Sequence, residues 1–220
     1  MSTVESQRPS RRERERDRRR AEILDAAGRV FAARGFATAT MDDVATESEL
    51  SKGTLYLYFE NKEALFLSLA NRALDGVIGA FTAIAEANIA ADGASRFRDM
   101  LIAYAQNALD NTEKFRVMVG RLASNSQTDV DCAAFDGHRQ RVEKVVTFLV
   151  QSLEDGQADG SVRPGVLPAA AAAEAWGGLL GVLLLTINFA ELNRRFPRPL
   201  EKDRLVPGFI DTLVRGLRTT

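Results

Sequence analysis

Helical periodicity is the feature that most limits what this 220-residue chain can fold into. Near the amino terminus, apolar residues recur at intervals of three and four, which places them on one face of an α-helix: Ile23, Ala26, Ala27, Val30 and Phe31. Runs of alternating polar and apolar residues, which are typical of strands, are nearly absent. The sequence therefore predicts an all-α fold of about nine helices.

Glycine and capping residues indicate where the first two helices begin and end. A helix over about residues 18–34 is expected to stop at Gly35, because glycine adopts left-handed backbone at low cost. Thr40 is expected to cap a short second helix, since Asp43 follows three residues later and completes a capping box. Ahead of the first helix, residues 1–17 are predicted to form a basic, flexible arm.

The net charge of −1 excludes a uniformly basic coat, so any contact with a polyanion must come from local clustering. The first 20 residues provide such a cluster, with eight arginines against four acidic residues. Two interpretations stay open for this cluster. It is either a solvated tail or an arm that follows DNA phosphates.

Two further capping residues define the next helices. Ser51 is expected to cap a third helix from Lys52 to about Phe59, and Asn61 to cap a fourth helix that begins at Lys62 and continues beyond residue 75. The second and third helices are short and joined by a tight turn. This pattern predicts a helix-turn-helix over about residues 41–60, whose second helix enters the major groove of DNA.

The residue types at the start of the third helix suit contacts with DNA. Hydroxyl, ammonium and phenol donors are concentrated there, on Ser51, Lys52, Thr54 and Tyr56. Gly53 leaves room for close backbone approach. Lys62 combines its charge with the exposed amides of the next helix, which predicts a phosphate clamp. Thr40 is mainly a cap that could also contact phosphate, Tyr58 is either a DNA contact or core, and Phe59 is expected to be core.

The same residues resemble the TetR-type transcriptional regulators. Residues 51–59 and 61–66 are similar to that family's recognition helix and to the start of its linking helix, and residues 23–36 and Thr40 are similar to its first helix, glycine stop and cap. The resemblance covers about residues 18–78. It implies a three-helix DNA-binding head over 18–78 and a helical effector-binding and dimerisation domain over 79–220, with the last two long helices of each subunit forming the interface.

The turn between the second and third helices departs from the family pattern. Residues 48–51 read Ser-Glu-Leu-Ser where the family usually has Ala-Gly-Val-Ser. A left-handed conformation at Glu49, where glycine is usual, would cost on the order of 1 kcal/mol. Such a turn would set the two helices at a slightly different angle.

The carboxy-terminal third offers two apolar helix faces. Residues 169–190 are apolar around most of the helix circumference, and Gly177 and Gly181 are spaced to let another helix approach closely. A final helix over about 201–218 presents Leu205, Phe209, Ile210, Leu213, Val214 and Leu217. These faces predict a homodimer, with packing inside one subunit as the open alternative. The apolar stretch 175–190 is short for a bilayer span, so no membrane partner is expected.

A small-molecule pocket is expected between the helices of the second domain, lined by aromatic, aliphatic and polar side chains. The candidates are Phe97, Met100, Tyr104, Phe115, Met118, Phe135, His138 and Trp176. Taken one by one, each of them fits ordinary core better than a ligand contact. His138 has the further alternative of a solvated face, since basic residues surround it.

The sequence lacks the residues that several kinds of functional site require. His138 and Cys132 are the only histidine and cysteine, so a zinc site and an intramolecular disulfide are excluded. No glycine-rich phosphate loop follows a strand. We therefore expect no enzyme, no cofactor and no metal. The charged amino terminus lacks a secretory signal, which favours the cytoplasm.

The sequence predicts a repressor that leaves a pseudo-palindromic operator when a small, largely apolar molecule binds. An activator, or a regulator that needs no ligand, is the alternative. A helical scaffold, or a protein that uses its basic amino terminus on anionic lipid, is a more distant one.

Overall fold

In a computed structural model, residues 10–87, 90–123 and 133–219 are described, with side chains left out at 121–123 and 133–135. These residues form ten helices without a strand, which confirms the all-α prediction. The helices are α1 (Arg11–Arg34), α2 (Met41–Glu47), α3 (Lys52–Tyr56), α4 (Lys62–Ala87), α5 (Gly93–Asp110), α6 (Thr112–Ala123), α7 (Ala133–Ala158), α8 (Pro168–Ile187), α9 (Phe189–Asn193) and α10 (Lys202–Leu217).

Helix α4 is shared between two hydrophobic cores. Its first half contributes Leu65 and Leu69 to a core built with α1, α2 and α3. Its second half contributes Val77 and Phe81 to a larger core formed with α5, α7, α8 and α10. A displacement of α4 at one core is therefore transmitted to the other, since packed side chains leave little room for independent movement.

Helix α1 begins at Arg11, seven residues earlier than expected. Ser10 caps it in a capping box, in which the Glu13 amide donates to the Ser10 hydroxyl (3.2 Å) and the Ser10 amide donates to the Glu13 carboxylate (2.6 Å). The carboxylate also suits the positive end of the helix dipole. Residues 11–17 of the expected arm are thus helical, and residues 1–9 lie outside the described residues.

The other boundaries in the amino-terminal part agree more closely with the expectations. Thr40 and Asp43 form the expected capping box, and Ser51 caps α3 by accepting a hydrogen bond from the Thr54 amide (3.1 Å). Asn61 accepts a hydrogen bond from the Ala64 amide (2.7 Å) at the start of α4. Helix α3 ends at Tyr56 instead of Phe59, because the chain turns there to bury the Phe59 ring.

Two helices, α4 and α8, are long and apolar enough to cross a membrane by length and composition alone. Helix α8 begins at Pro168, next to the expected start of the apolar face at 169–190, and ends at Ile187. In the fold both helices pack against neighbours of the same chain, α4 against α5 and α7, and α8 against α7 and α10. Their length alone is therefore weak support for a membrane span.

Helices α5 and α7 meet backbone to backbone at Gly93, which makes a sharp test of the packing. An ideal Cβ at Gly93 would lie 2.2 Å from the Gly156 amide nitrogen and 2.4 Å from the Ser152 carbonyl oxygen. We expect Gly93→Ala to lower the free energy of unfolding by about 2–3 kcal/mol, because the helices must separate. Urea denaturation measures this loss.

Gly79→Ala is the matched control. Nothing lies within 4 Å of an ideal Cβ at this exposed position in α4, so the same change should leave stability equal or raise it by up to about 1 kcal/mol. Equal stability of the two variants would contradict the close approach of α5 and α7.

Candidate DNA-binding surface and ligand cavity

The turn between α2 and α3 holds a residue in left-handed backbone. Glu49 has φ 55°, the only positive φ of a residue other than glycine in the described ranges. Its amide donates to the Thr46 carbonyl (3.1 Å), and the Leu50 amide donates to the Ala45 carbonyl (2.9 Å). Left-handed backbone costs a residue with a Cβ about 1 kcal/mol. The chain thus closes the turn without the usual glycine, as the sequence anticipated.

Helix α3 is anchored on one face and open on the other. Leu55 is fully buried, and Phe59, just beyond the helix, is 3% exposed in the core with α1 and α4, which confirms it as core. The opposite face leaves Ser51, Lys52, Gly53 and Tyr56 exposed and Thr54 half-buried. The amino-terminal part of this short helix therefore presents its polar side chains to solvent.

The hydroxyl groups of Ser51 and Thr54 are 2.8 Å apart and share a hydrogen bond. Nothing lies within 4 Å of an ideal Cβ at Gly53, so this point of the backbone is accessible to a large ligand. Tyr56 is 44% exposed. This face combines hydroxyl groups, a phenol and open backbone, the groups that reach base edges and phosphates in a groove.

Lys52 is held by an ion pair at the surface. Its ammonium lies 2.8 Å from an Asp42 carboxylate oxygen of α2, and this hydrogen bond raises the pKa of Lys52 above its ordinary value. Both side chains are well exposed, and surface ion pairs of this kind contribute little to stability. A phosphate can therefore replace Asp42 at low cost.

Thr40 acts as a cap in the structure. Its hydroxyl accepts from the Asp43 amide (3.1 Å) and donates to the Asp43 carboxylate (2.8 Å). Hydrogen bonds from the Thr40 hydroxyl and amide lower the pKa of Asp43. Arg34 also contacts this carboxylate at 2.8 Å, which ties the end of α1 to the start of α2.

Arg20 fixes α1 against the region after α3, a role that sequence reasoning missed. Its guanidinium lies over the Phe59 ring, 4.3 Å from the ring centroid, and donates to the Tyr58 carbonyl (3.2 Å) and the Ser68 hydroxyl (3.0 Å). Tyr58 itself is half-buried against the same core. The spacing of Arg20, three residues before Ile23 on the buried face of α1, could have indicated this role.

Lys62 has a structural role that the sequence did not predict. Its ammonium donates to the carbonyls of Phe36 (2.9 Å), Ala37 (3.3 Å) and Ala39 (2.9 Å), and it lies 4.6 Å from the centroid of the Phe36 ring. An ammonium has three donors, and all three are used here. In the DNA-free chain Lys62 therefore joins the loop between α1 and α2 to the start of α4.

Replacing Lys62 with alanine is expected to lower the free energy of unfolding by about 2 kcal/mol, because three carbonyls lose a charged donor. Thermal denaturation measures this loss, and Lys144→Ala on the exposed face of α7 is the control. Stability equal to that of the control would contradict the structural role. The salt dependence of DNA binding tests the phosphate clamp separately, since one lost phosphate contact reduces the slope by about 1.

A cavity of about 240 Å³ lies between α4, α5 and α6. It includes three of the eight expected ligand-binding residues, Tyr104, Phe115 and Met118. The full lining is Leu69, Arg72, Ala73, Leu74, Gly76, Val77, Tyr104, Asn107, Ala108, Asn111, Lys114, Phe115 and Met118. A mostly apolar lining with a few polar groups is typical of a small-molecule site.

The other five candidates are not among the lining residues. Phe97 and Met100 are fully buried in the larger core formed by α4, α5, α7, α8 and α10. Trp176 is 41% exposed on α8, and the side chain of Phe135 lies outside the part described. His138 is half-buried between α7 and α4, where its Nδ1 lies 2.9 Å from the Asn71 side-chain oxygen; burial, and then the charge of Arg141, lowers its pKa.

Four polar residues at the cavity were missed by sequence reasoning, Arg72, Asn107, Asn111 and Lys114. Positions 104, 107, 111, 115 and 118 recur at intervals of three and four, so this face could have been found from spacing. Asparagine and lysine on such a face are typical of solvated surface, so they were not among the predicted cavity residues. In the described part of the chain, no group of three or more His, Cys, Asp or Glu could hold a metal ion.

The amino-terminal part of the chain matches a known family model. Residues 23–69 match the model for bacterial regulatory proteins of the tetR family. The uncharacterized HTH-type transcriptional regulator YfiR of Bacillus subtilis is 47% identical over 60 residues, 27% of this chain and 29% of that protein. The HTH-type transcriptional activator FasR of Mycolicibacterium smegmatis is 40% identical over 63 residues, 29% of either protein. The aligned part therefore spans less than a third of these two relatives.

A longer match and two solved structures extend the similarity beyond the head. The HTH-type transcriptional repressor KstR2 of Mycolicibacterium smegmatis is 27% identical over 146 residues, 66% of this chain and 68% of that protein. The fatty acid degradation regulator FadR of Bacillus halodurans has TM-score 0.70 at 20% identity, covering 92% of this chain and 97% of its own. The ketosteroid transcriptional regulator KstR2 of Mycobacterium tuberculosis has TM-score 0.67 at 20% identity, covering 92% and 96%.

The family match covers the part of the structure that contains the helix-turn-helix. Residues 23–69 contain the core of α1, the turn at Glu49 and the outward face of α3. The three relatives reported above are named as HTH-type transcriptional regulators. Residues 23–69 therefore match the tetR family model, and the described helices have the fold of the two solved regulators reported above.

Proposed function

We propose that the protein is a cytoplasmic repressor that binds a pseudo-palindromic operator as a homodimer and leaves it when a small molecule occupies the cavity. The observation that carries this proposal is the outward polar face of α3, anchored from behind by Leu55 and Phe59. The proposed DNA contacts are Thr40, Ser51, Lys52, Gly53, Thr54, Tyr56, Tyr58 and Lys62. Of these, Lys62 must give up a carbonyl to reach a phosphate.

A stripe of small residues along α8 supports the homodimer. Ala170, Ala173, Gly177 and Gly181 recur at helical spacing and are exposed. Nothing lies within 4 Å of an ideal Cβ at either glycine. A second α8 can therefore approach this stripe closely, and symmetry makes such a contact self-complementary.

The apolar residues of α10 form two groups, one buried within the chain and one half-buried beside α8. Ile210, Val214 and Leu217, which were expected at the dimer face, are buried within the chain. Leu205, Phe209 and Leu213 are only half-buried and flank the stripe of α8, where an ideal Cβ at Gly178 would lie 2.5 Å from the Phe209 ring. We propose that α8 and this flank of α10 form the four-helix interface.

Ligand control is proposed through the two helices that border the cavity and also reach α1. Helix α4 enters both cores, and α6 packs against α1. A ligand that prefers a conformation with wrongly spaced heads lowers operator affinity by its differential affinity for that state. The heads must lie about 34–36 Å apart to enter successive major grooves, so a small pivot suffices.

Selection of bound duplexes from a random library tests the operator prediction. We expect enrichment of a sequence with two inverted half-sites, because a two-fold dimer presents α3 twice. The relative KstR2 is named as a repressor, which favours repression by this protein. The relative FasR is named as an activator, so activation of transcription is the alternative. A reporter fused to the selected site distinguishes them, since expression should rise when the gene for this protein is deleted. No enrichment at all would contradict the proposal.

A further inference from the structure

We propose that the effector is a small amphipathic anion whose acidic group is bound by Lys114 and competes with Asp25 for Arg72. The inference rests on the proposed ligand-controlled DNA binding and adds the chemistry of the ligand. It also names the contact through which the ligand reaches the head. The starting point is the unbalanced charge of the cavity between α4, α5 and α6.

The charge of the lining is positive. Arg72 and Lys114 are cationic, Asn107 and Asn111 are neutral amides, and none of the lining residues is acidic. Lys114 forms no ion pair with a carboxylate of the described residues, and its ammonium donates to the Asn111 side-chain oxygen at 3.5 Å. A cation beside apolar surface attracts an anion more strongly than one in open water. The cavity therefore favours an acidic group at this end.

The rest of the cavity is apolar and small. Leucine, valine, methionine and phenylalanine side chains form most of its wall, at Leu69, Leu74, Val77, Phe115 and Met118. Its volume is about 240 Å³. This suits a small ligand with an aliphatic or aromatic body.

Both cations of the cavity also touch α1. Arg72 donates to the Asp25 carboxylate at 2.7 Å and to the Ala21 carbonyl at 3.4 Å. The Cε of Lys114 lies 3.8 Å from an ideal Cβ at Gly28, one turn further along α1. Two cations thus join the cavity wall to the helix that carries the core of the head.

The ion pair between Arg72 and Asp25 can be replaced by an ion pair between Arg72 and a bound anion. Both side chains are partly exposed, and ion pairs of this kind are weak. An anion held inside the apolar cavity is less screened by water and salt, so it competes well for the same guanidinium. Loss of the bridge removes one polar contact between α1 and α4, which shifts α1 relative to the cavity.

Four probes with the same eight-carbon chain test the ligand class: octanoate, octyl phosphate, neutral octanamide and cationic octylamine. Trp176 is the only tryptophan, and its indole N–H donates a hydrogen bond to the hydroxyl of Tyr104, a lining residue. Its fluorescence therefore reports on the cavity without DNA. We expect at least one anion to bind about tenfold more tightly than octanamide, and octylamine to bind most weakly.

Two pairs of variants test the named residues in the full-length protein. Lys114→Met should bring the preference for the anion over octanamide close to one, whereas Lys144→Met on the exposed face of α7 should keep it. Asp25→Asn should tighten anion binding several-fold and weaken operator binding without ligand, because Arg72 loses its partner on α1. Asp75→Asn breaks the bridge from α4 to Arg141 of α7 instead, and should do neither.

Different results would overturn the ligand class and the proposed repressor function. Equal binding of all four probes, preference for octanamide or octylamine, or no binding at low-millimolar concentration would overturn the anion inference while operator binding stands. An unliganded protein that binds no operator would overturn the proposed function, and the tryptophan titration would still decide the ligand class. An anion that binds without changing operator affinity would overturn the exchange at Arg72.

Discussion

Replacing Gly181 with glutamate is expected to separate the subunits and to weaken operator binding by at least about 100-fold, because one head alone makes half of the specific contacts. Gly181 is exposed on α8, with nothing within 4 Å of an ideal Cβ. The glutamate therefore fits the single chain. In the proposed dimer it places two like charges in a close helix contact, where unpaired buried charge is strongly unfavourable. Light scattering and fluorescence anisotropy measure the two effects.

Gly79→Glu is the matched control for this prediction. Gly79 is likewise exposed with nothing within 4 Å, and it lies on α4, away from the stripe of α8. This variant should remain dimeric and should bind the operator as the parent does. A Gly181→Glu protein that stays dimeric at micromolar concentration would contradict the interface on α8.

Replacing Tyr56 with alanine is expected to lower operator affinity by about 5–150-fold, which corresponds to about 1–3 kcal/mol for one lost specific contact. The ring of Tyr56 is 44% exposed and lies on the face opposite the buried Leu55, so the head should keep its stability. Binding to random duplexes should change much less, because phosphate contacts supply most of the non-specific affinity.

Tyr56→Phe separates the two contributions of this side chain. It keeps the ring and removes the hydroxyl, so recovery of affinity assigns the contact to apolar packing, and continued loss assigns it to a hydrogen bond. Equal losses on operator and random duplexes for Tyr56→Ala would contradict a role in sequence recognition. Unfolding measured in parallel excludes a damaged head.

Local signals predicted the head of this protein well. The caps at Thr40, Ser51 and Asn61 depend on a few neighbouring residues, and the structure has them where they were expected. The glutamate in the turn was recognised as a departure from glycine, and it adopts φ 55°. The start of α1 was missed because a run of arginines fits a solvated arm and a capped helix equally well.

Long-range partners could not be predicted from the sequence. Lys62 contacts carbonyls 23 to 26 residues away, and Arg20 contacts a carbonyl 38 residues away. Such pairs depend on how helices cross, which no local pattern encodes. A basic residue next to a DNA-binding motif is naturally assigned to phosphate, although here both cations first stabilise the head.

The ligand cavity shows a second limit of sequence reasoning. Large aromatic and aliphatic residues were the natural candidates, but Phe97 and Met100 are fully buried in the core. A cavity and a core are lined by the same apolar side chains, so only the packing tells which positions leave a space. Charged residues such as Arg72 and Lys114 are typical of solvated surface, yet here they give the cavity its polarity.

The most direct test of the account is a competition titration on the selected operator. Labelled operator is bound by the parent protein, then displaced by unlabelled operator or by a random duplex of equal length, with the number of chains per duplex measured by light scattering. We expect an even number of chains per operator and at least about a thousandfold weaker competition by the random duplex. Equal competition by both duplexes, or a single chain bound per operator, would contradict recognition by a symmetric pair of α3 helices.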